Sequence, residues 1–290
     1  MRAAMMRLAL TGSESRPENW TVGPESEHQM RVGVFGAGGR MGAEVCRSVA
    51  DDPELALVAG IDPFHAGIDL RQATGVDVPG IQLSSAPEAM TRAGVEVAID
   101  FTHHDASIAN LRWCAENAIH VVVGTTGFSA DDLAELRELF VKSNCLIAPN
   151  FAIGAVLMMR FAEMAAPYFE TAEIIEFHHD AKIDAPSGTA MATVERMARA
   201  KAEWAPDPTE KVLLEGARGG RGSADIRVHS VRMRGMVAHQ EVILGTTGQT
   251  LVIRHDTTDR TSFMPGVMLA VKKIADHPGL TVGLDAILDL

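Results

Sequence analysis

The chain has 290 residues, room for two domains at about 150 residues each, and its 47% hydrophobic and 22% charged composition is that of a folding globular protein. A peptide hormone, a disulfide knot, a fibrous chain and wholesale disorder are excluded. Against 26 Lys and Arg stand 38 Asp and Glu, a formal net charge of −12 that repels polyanions, so nucleic acid is not an expected partner.

The three cysteines, Cys46, Cys114 and Cys145, are odd in number and far apart, which suits neither a disulfide framework nor paired zinc ligands and points to a reducing cytoplasm. The longest apolar run, 145–159, is short and broken by Pro149 and Asn150, so no membrane span is expected. Residues 1–10 are an apolar stretch interrupted by Arg7, residues 11–29 are polar with Pro17 and Pro24 and no apolar periodicity, and 1–29 are read as a disordered leader.

From Arg31 strands and helices alternate. RVGVFG is a strand; Met41, Val45 and Val49, four apart, mark the face of the helix after it. Apolar runs at 55–62, 95–102, 120–126 and 145–151 have the texture of strands buried on both faces, with helices expected over 107–117 and 131–142. This rhythm gives a doubly wound parallel sheet of Rossmann type over 30–150. After Phe151 come a helix over 152–166, a strand over 172–179, a helix opened by APSGTA, and β-rich runs at 225–233, 239–246 and 249–257. Short turns between these runs imply an antiparallel or mixed sheet, hence a second domain of α+β class over 151–261, with a helical tail over 262–290 returning to the first.

Gly36 to Gly42 read GAGGRMG, between the first strand and helix. Glycines there allow a tight turn and let backbone N–H groups approach a pyrophosphate. The spacing departs from GxGxxG, because Met41 stands where the last glycine would fall. Asp62, at the end of the second strand, is placed to bond an adenosine ribose, or else to serve as a turn acid before Pro63. Phe101 with Thr102, Gly124 with Thr125 and Thr126, and Asn150 with Phe151 fall at later strand ends, where ligands bind in such sheets.

The richest stretch is EIIEFHHDAKIDAPSGTA, 173–190. His178 and His179 adjoin on a strand, so their rings face opposite ways and cannot chelate one metal; no metal site is expected. Lys182 adds a cation four residues on. Ser187, Gly188 and Thr189 open a helix whose free N–H groups suit a carboxylate, although Ser187 is equally a plain N-cap. His103 and His104 read as loop surface near the cleft. GARGGRG, with Arg218 and Arg221, reads as a mobile anion-binding loop or a solvated one, and Arg260 as a residue within reach of the cleft.

GAGGRMG, DFTHHDA, VVVGTTGF, APNFAIG, EFHHDAKIDAPSGTA and DRTSFMPGV, in this order, closely resemble the 4-hydroxy-tetrahydrodipicolinate (dihydrodipicolinate) reductase family over about 30–290. The resemblance implies NADH or NADPH as cofactor, a small cyclic dicarboxylate as substrate, a homotetramer formed through the second domain's sheet, and a place in diaminopimelate and lysine biosynthesis. It also implies site residues. His178 resembles the proton donor and acceptor, Lys182 the second donor, and His179, Gly188 and Thr189 the substrate ligands. Gly36, Ala37, Gly38, Gly39, Arg40 and Met41, with Asp62, Gly124, Thr125 and Thr126, and Ala148, Pro149, Asn150 and Phe151, match cofactor contacts. Two residues depart from the family pattern: Ala181 stands where a further His is common, and His104 where Pro is common. Two rivals share the glycine turn: another Rossmann oxidoreductase of amino-acid metabolism resembling aspartate dehydrogenase, and a non-catalytic dinucleotide sensor. Neither has a reason to carry His178 with Lys182.

Overall fold

A computed structural model describes residues 29–290. The leader expectation therefore lies outside the described residues, save Gln29, whose amide donates to the Pro53 carbonyl at 2.9 Å.

The first half alternates as its pattern requires. Strand β1 (Met30–Phe35) turns through glycines into helix α1 (Arg40–Asp51), which buries Gly42, Val45, Cys46 and Val49 on one face. Strand β2 (Leu55–Ile61) is followed by two short helices that had no clear periodic signal, α2 (Leu70–Thr74) and α3 (Glu88–Arg92). Then come β3 (Val97–Asp100), α4 (His104–Glu116), β4 (His120–Val123), α5 (Ala130–Leu139) and β5 (Cys145–Ile147). Helix α5 begins in a reciprocal cap, with Ser129 accepting from the Asp132 amide and Asp132 accepting from Ser129.

The second half opens with α6 (Ile153–Ala165), β6 (Thr171–His178) and α7 (Gly188–Ala200). It continues with β7 (Gly220–Arg221), β8 (Arg227–Arg232), β9 (Ala238–Thr246) and β10 (Gln249–Thr257). The tail holds α8 (Met264–Lys273) and, contrary to the all-helical expectation for 262–290, a further strand β11 (Leu280–Val282).

The strands form two sheets. The first runs β11-β5-β4-β3-β1-β2, every pair parallel. Chain order reverses between β1 and β3, and at such a switch point the carboxyl ends of the strands open a crevice. The second runs β10-β9-β6-β8-β7 and is mixed, since β6 pairs parallel with β8 and antiparallel with β9. The fold is thus a doubly wound α/β sheet joined to an α+β unit. One hydrophobic core runs continuously from Val32, Val34 and Leu146 through Val156 and Met159 of α6 to Ile174, Val242 and Leu244, so α6 binds the two sheets together.

Two loop expectations need correction. His103 and His104 are not loop: His103 caps α4, and His104 is its first residue, bonded to Asp105 and to Asp132 of the α5 cap. The stretch 216–222 supplies β7, and its arginines are already paired, Arg218 with Glu173 and Asp207, Arg221 with Asp225. With these pairs formed at the surface, the solvated reading of the stretch holds rather than the anion-binding one.

Candidate active site

The glycine turn packs too tightly for side chains. Gly36 has φ +72°, a conformation that favours glycine, and a Cβ on Gly42 would lie 1.9 Å from the Gly36 carbonyl oxygen. Helix α1 therefore starts directly against the β1 turn, and its N-cap, Gly39, brings no side chain to satisfy the first-turn amides. Such an uncapped helix start is a seat for a phosphate. The exposed Arg40 stands beside it.

Asp62 is buried at the end of β2. One carboxylate oxygen accepts the Gly38 amide at 2.9 Å; the other accepts the Phe64 amide at 3.0 Å, with His65 Nδ1 at 3.1 Å. The turn-acid role is thus present, and the oxygen bonded to the Gly38 amide keeps a lone pair for a ribose hydroxyl. At the next strand ends the hydroxyls of Thr102 and Thr125 turn inward, both onto Asp100 Oδ1 at 2.8 Å, while Asn110 bonds the other Asp100 oxygen. The fully buried Asp100, not singled out from the sequence, holds the two loops in register. Phe101 packs against Phe151, ring centroids 6.0 Å apart, and a Cβ on Gly124 would strike the Phe101 ring. Gly36 to Met41, Asp62, Phe101, Thr102, Gly124 to Thr126 and Ala148 to Phe151 thus gather at the carboxyl edge of the parallel sheet beside an uncapped helix start, with Ala37, Ala148 and Phe151 buried.

A cavity of about 180 Å³ lies where the two sheets meet. It is lined by Pro149 and Asn150 from the end of β5, by His178, Ser187 and Thr189, and by residues of β9 and β10 including Gln240 and His255. Asn150 Nδ2 donates to Thr189 Oγ1 at 3.3 Å, a direct tie between the sides. Ser187 is the N-cap of α7, its Oγ accepting the Ala190 amide at 3.2 Å, so the capping reading holds. A Cβ on Gly188 would meet open space, as a close-approach position for a ligand requires. His179 falls just beyond β6 and is exposed. Lys182, on the loop that follows, is held by Asp184 at 2.7 Å and does not line the cavity. Arg260 is exposed, and its turn reaches the cavity through Phe263 instead.

Beneath His178 lies a group that sequence reasoning passed over. Glu176, wholly buried, accepts from His178 Nδ1 at 2.5 Å and from both terminal nitrogens of Arg232 at 2.9 and 2.7 Å. The Ser187 amide also donates to it at 3.3 Å. Burial alone would raise the Glu176 pKa, but hydrogen bonds from Arg232, Ser230 and His178 outweigh it and hold the carboxyl below its usual range. For His178 burial wins over the Glu176 carboxylate and lowers the imidazole pKa. Alternation on β6 places Glu176 and His178 on one face, a signal the sequence did contain.

A parallel sheet with a glycine-lined helix start, joined through a polar cavity to a second sheet bearing His178, defines a nicotinamide-dinucleotide oxidoreductase of two-sheet architecture. Family models for the N-terminal and C-terminal parts of dihydrodipicolinate reductase match residues 30–151 and 154–288. The chain belongs to the dihydrodipicolinate reductase family. Similar proteins include the 4-hydroxy-tetrahydrodipicolinate reductases of Mycolicibacterium vanbaalenii, 50% identical over 90% of this chain and 100% of the relative, and of Nocardia farcinica, 49% identical over 90% and 99%. The dihydrodipicolinate reductase of Paenisporosarcina sp. TG-14, solved with dipicolinate bound, is 38% identical, with a TM-score of 0.79 over 89% of this chain and 99% of that one. An amine dehydrogenase from Mycobacterium smegmatis, 14% identical with a TM-score of 0.61, shares the fold alone.

Proposed function

We propose that the chain reduces 4-hydroxy-tetrahydrodipicolinate to tetrahydrodipicolinate in diaminopimelate and lysine biosynthesis, using NADH or NADPH. The observation that carries this reading is the cavity between the sheets, where His178 and the head of α7 face the Asn150 end of the dinucleotide crevice. In this reading residues 30–150, completed by 262–290, hold the cofactor and 151–261 hold the substrate.

When bound, the reduced nicotinamide supplies a hydride. The chain's own residues do the rest. Free N–H groups at the α7 start, at Gly188 and Thr189, donate to one carboxylate of the dianion, and the Thr189 hydroxyl is in reach of it. His179 supplies a donor group for the other, and Lys182, exchanging its Asp184 partner for substrate, is the second proton donor. One hydride and one proton enter the ring and one water leaves, so a donor must meet the charge that develops on ring nitrogen or carbon. His178 holds that proton at Nε2, because Nδ1 is bonded to Glu176. Its lowered pKa keeps it neutral in the empty cavity, and the arriving dianion draws a proton onto it.

Asp62 favours a ribose 2′-hydroxyl and disfavours a 2′-phosphate, whereas Arg40 attracts one, which supports use of both dinucleotides. The second sheet's outward face on β6, β9 and β10 carries Ile175, Phe177, Ile243 and Val252 in a stripe interleaved with Glu173, Glu241 and Arg254, a mixed surface suited to a homotetramer. No helix among the described residues is long and apolar enough to cross a membrane, and three buried free thiols suit a cytoplasmic enzyme. The test is spectrophotometric. Adding the aldol product of pyruvate and aspartate semialdehyde should oxidise reduced nicotinamide; absence of oxidation with both dinucleotides contradicts the proposal.

A further inference from the structure

The Glu176 carboxylate joins parts of the site that lie far apart in the chain. On β6 it shares a face with His178, two residues on. Across the parallel pairing Ser230 and Arg232 of β8 stand opposite Glu176 and His178. Arg232 grips both Glu176 oxygens and also donates to the Asp184 carbonyl at 2.7 Å, in the loop that carries Lys182. The Ser187 amide at the head of α7 is bonded to the same carboxylate. Proton donor, anion-binding helix start and lysine loop therefore converge on one buried ion pair.

A wholly buried carboxylate is costly unless paired and hydrogen-bonded, and a hydrophobic pair of the same volume would serve stability as well or better. The arrangement needs another reason. An anion beside Nδ1 allows only a protonated Nδ1, which makes Nε2 the nitrogen that exchanges a proton with a ligand and steadies the ring when it is doubly protonated.

We propose that Glu176, held as an anion by Arg232, is the positioning residue of this enzyme, fixing the tautomer and ring orientation of His178 and aligning the start of α7 with it. This rests on the reading of His178 as the proton donor. During turnover the imidazolium gives its Nε2 proton to the reduced ring, keeps its Nδ1 proton, hydrogen-bonded to Glu176, and regains the lost proton from solvent; Glu176 is never protonated. The charges facing His178 are Glu176 on its own strand, Arg232 on β8 and Lys182 on the following loop.

The test compares Glu176→Gln, His178→Ala and the double variant in the full chain. A glutamine keeps the volume but can turn its amide toward Nδ1 and reverse the tautomer. The expected result for Glu176→Gln is a kcat about 10²-fold or more lower, with KM and calorimetric binding of pyridine-2,6-dicarboxylate changed only a few-fold. The high-pH limb of its kcat profile should move to lower pH, since the imidazolium has lost its anion. The double variant should be no slower than His178→Ala alone. Near-wild-type kcat in Glu176→Gln, with His178→Ala inactive, overturns the positioning role and leaves the donor reading intact. Near-wild-type kcat in His178→Ala removes the donor reading itself, and the positioning role with it. A lower kcat with an unmoved limb marks a merely structural carboxylate and also overturns the proposal. If Glu176→Gln does not fold, nitrogen-15 spectra of the native protein decide: neutral His178 should carry its hydrogen on Nδ1, and the opposite tautomer contradicts the assignment.

Discussion

Side chains in the cleft divide into those that hold the fold and those left to act. Lys182 sits on a loop and bonds only Asp184, so Lys182→Ala should lower kcat by about 10²-fold while leaving the melting temperature unchanged. A large drop in melting temperature would reassign it to structure. The histidines make a separate prediction about pH. Burial lowers the pKa of His120, His178 and His255, and His120 Nδ1 accepts the Asn144 amide, a bond its protonation would break. Each binds its proton more weakly folded than unfolded, so stability is full above the ordinary imidazole value near 6.5 and falls as pH drops through it toward the lower folded values. His104, raised by Asp105 and Asp132, acts oppositely, but its two ion pairs lie at the surface, where solvent screens them. Thermal melts should give a lower midpoint at about pH 5.5 than at about pH 7.5; an equal or higher midpoint would refute the account of these three groups.

The two glycine-bearing helix starts differ in what a methyl group would meet. Gly42→Ala drives a Cβ into the Gly36 carbonyl, so α1 must shift from the turn; a loss of about 2–4 kcal/mol and of dinucleotide binding is expected in melts and titrations. Gly188→Ala meets open space, so the melting temperature should hold while substrate KM rises. A fall in stability with unchanged KM would show that α7 does not face the ligand. Both starts were legible in the sequence, because a tight turn and a helix cap are local events written in adjacent residues. The end of the chain was not. Strand β11 has only three residues and gains its partner from β5, far back in sequence, so nothing local distinguishes it from the preceding helix. His104 misled because its reason to be helical lies in Asp132, on the next helix. Glu176 could have been found from alternation on β6, but Arg232 reaches it through a pairing of distant strands.

On the scale of the molecule the two sheets are one unit at the core and two at the surface. The outward stripe of the second sheet includes Val252, half exposed in the single chain. If four chains meet there, Val252→Glu should shift the mass in light scattering from a tetramer to smaller species; a native chain that is already monomeric would remove the stripe's assigned role. The central claim is that a hydride passes across the cavity between Asn150 and His178 into the ring of a dicarboxylate. Its most direct measurement is label transfer. With nicotinamide dinucleotide deuterated at the transferring position, mass spectrometry of the product should find a single deuterium in the reduced ring, and His178→Ala should form the same singly labelled product about 10²-fold more slowly. Product formed without deuterium, or nicotinamide oxidised with no reduced ring, would contradict the account.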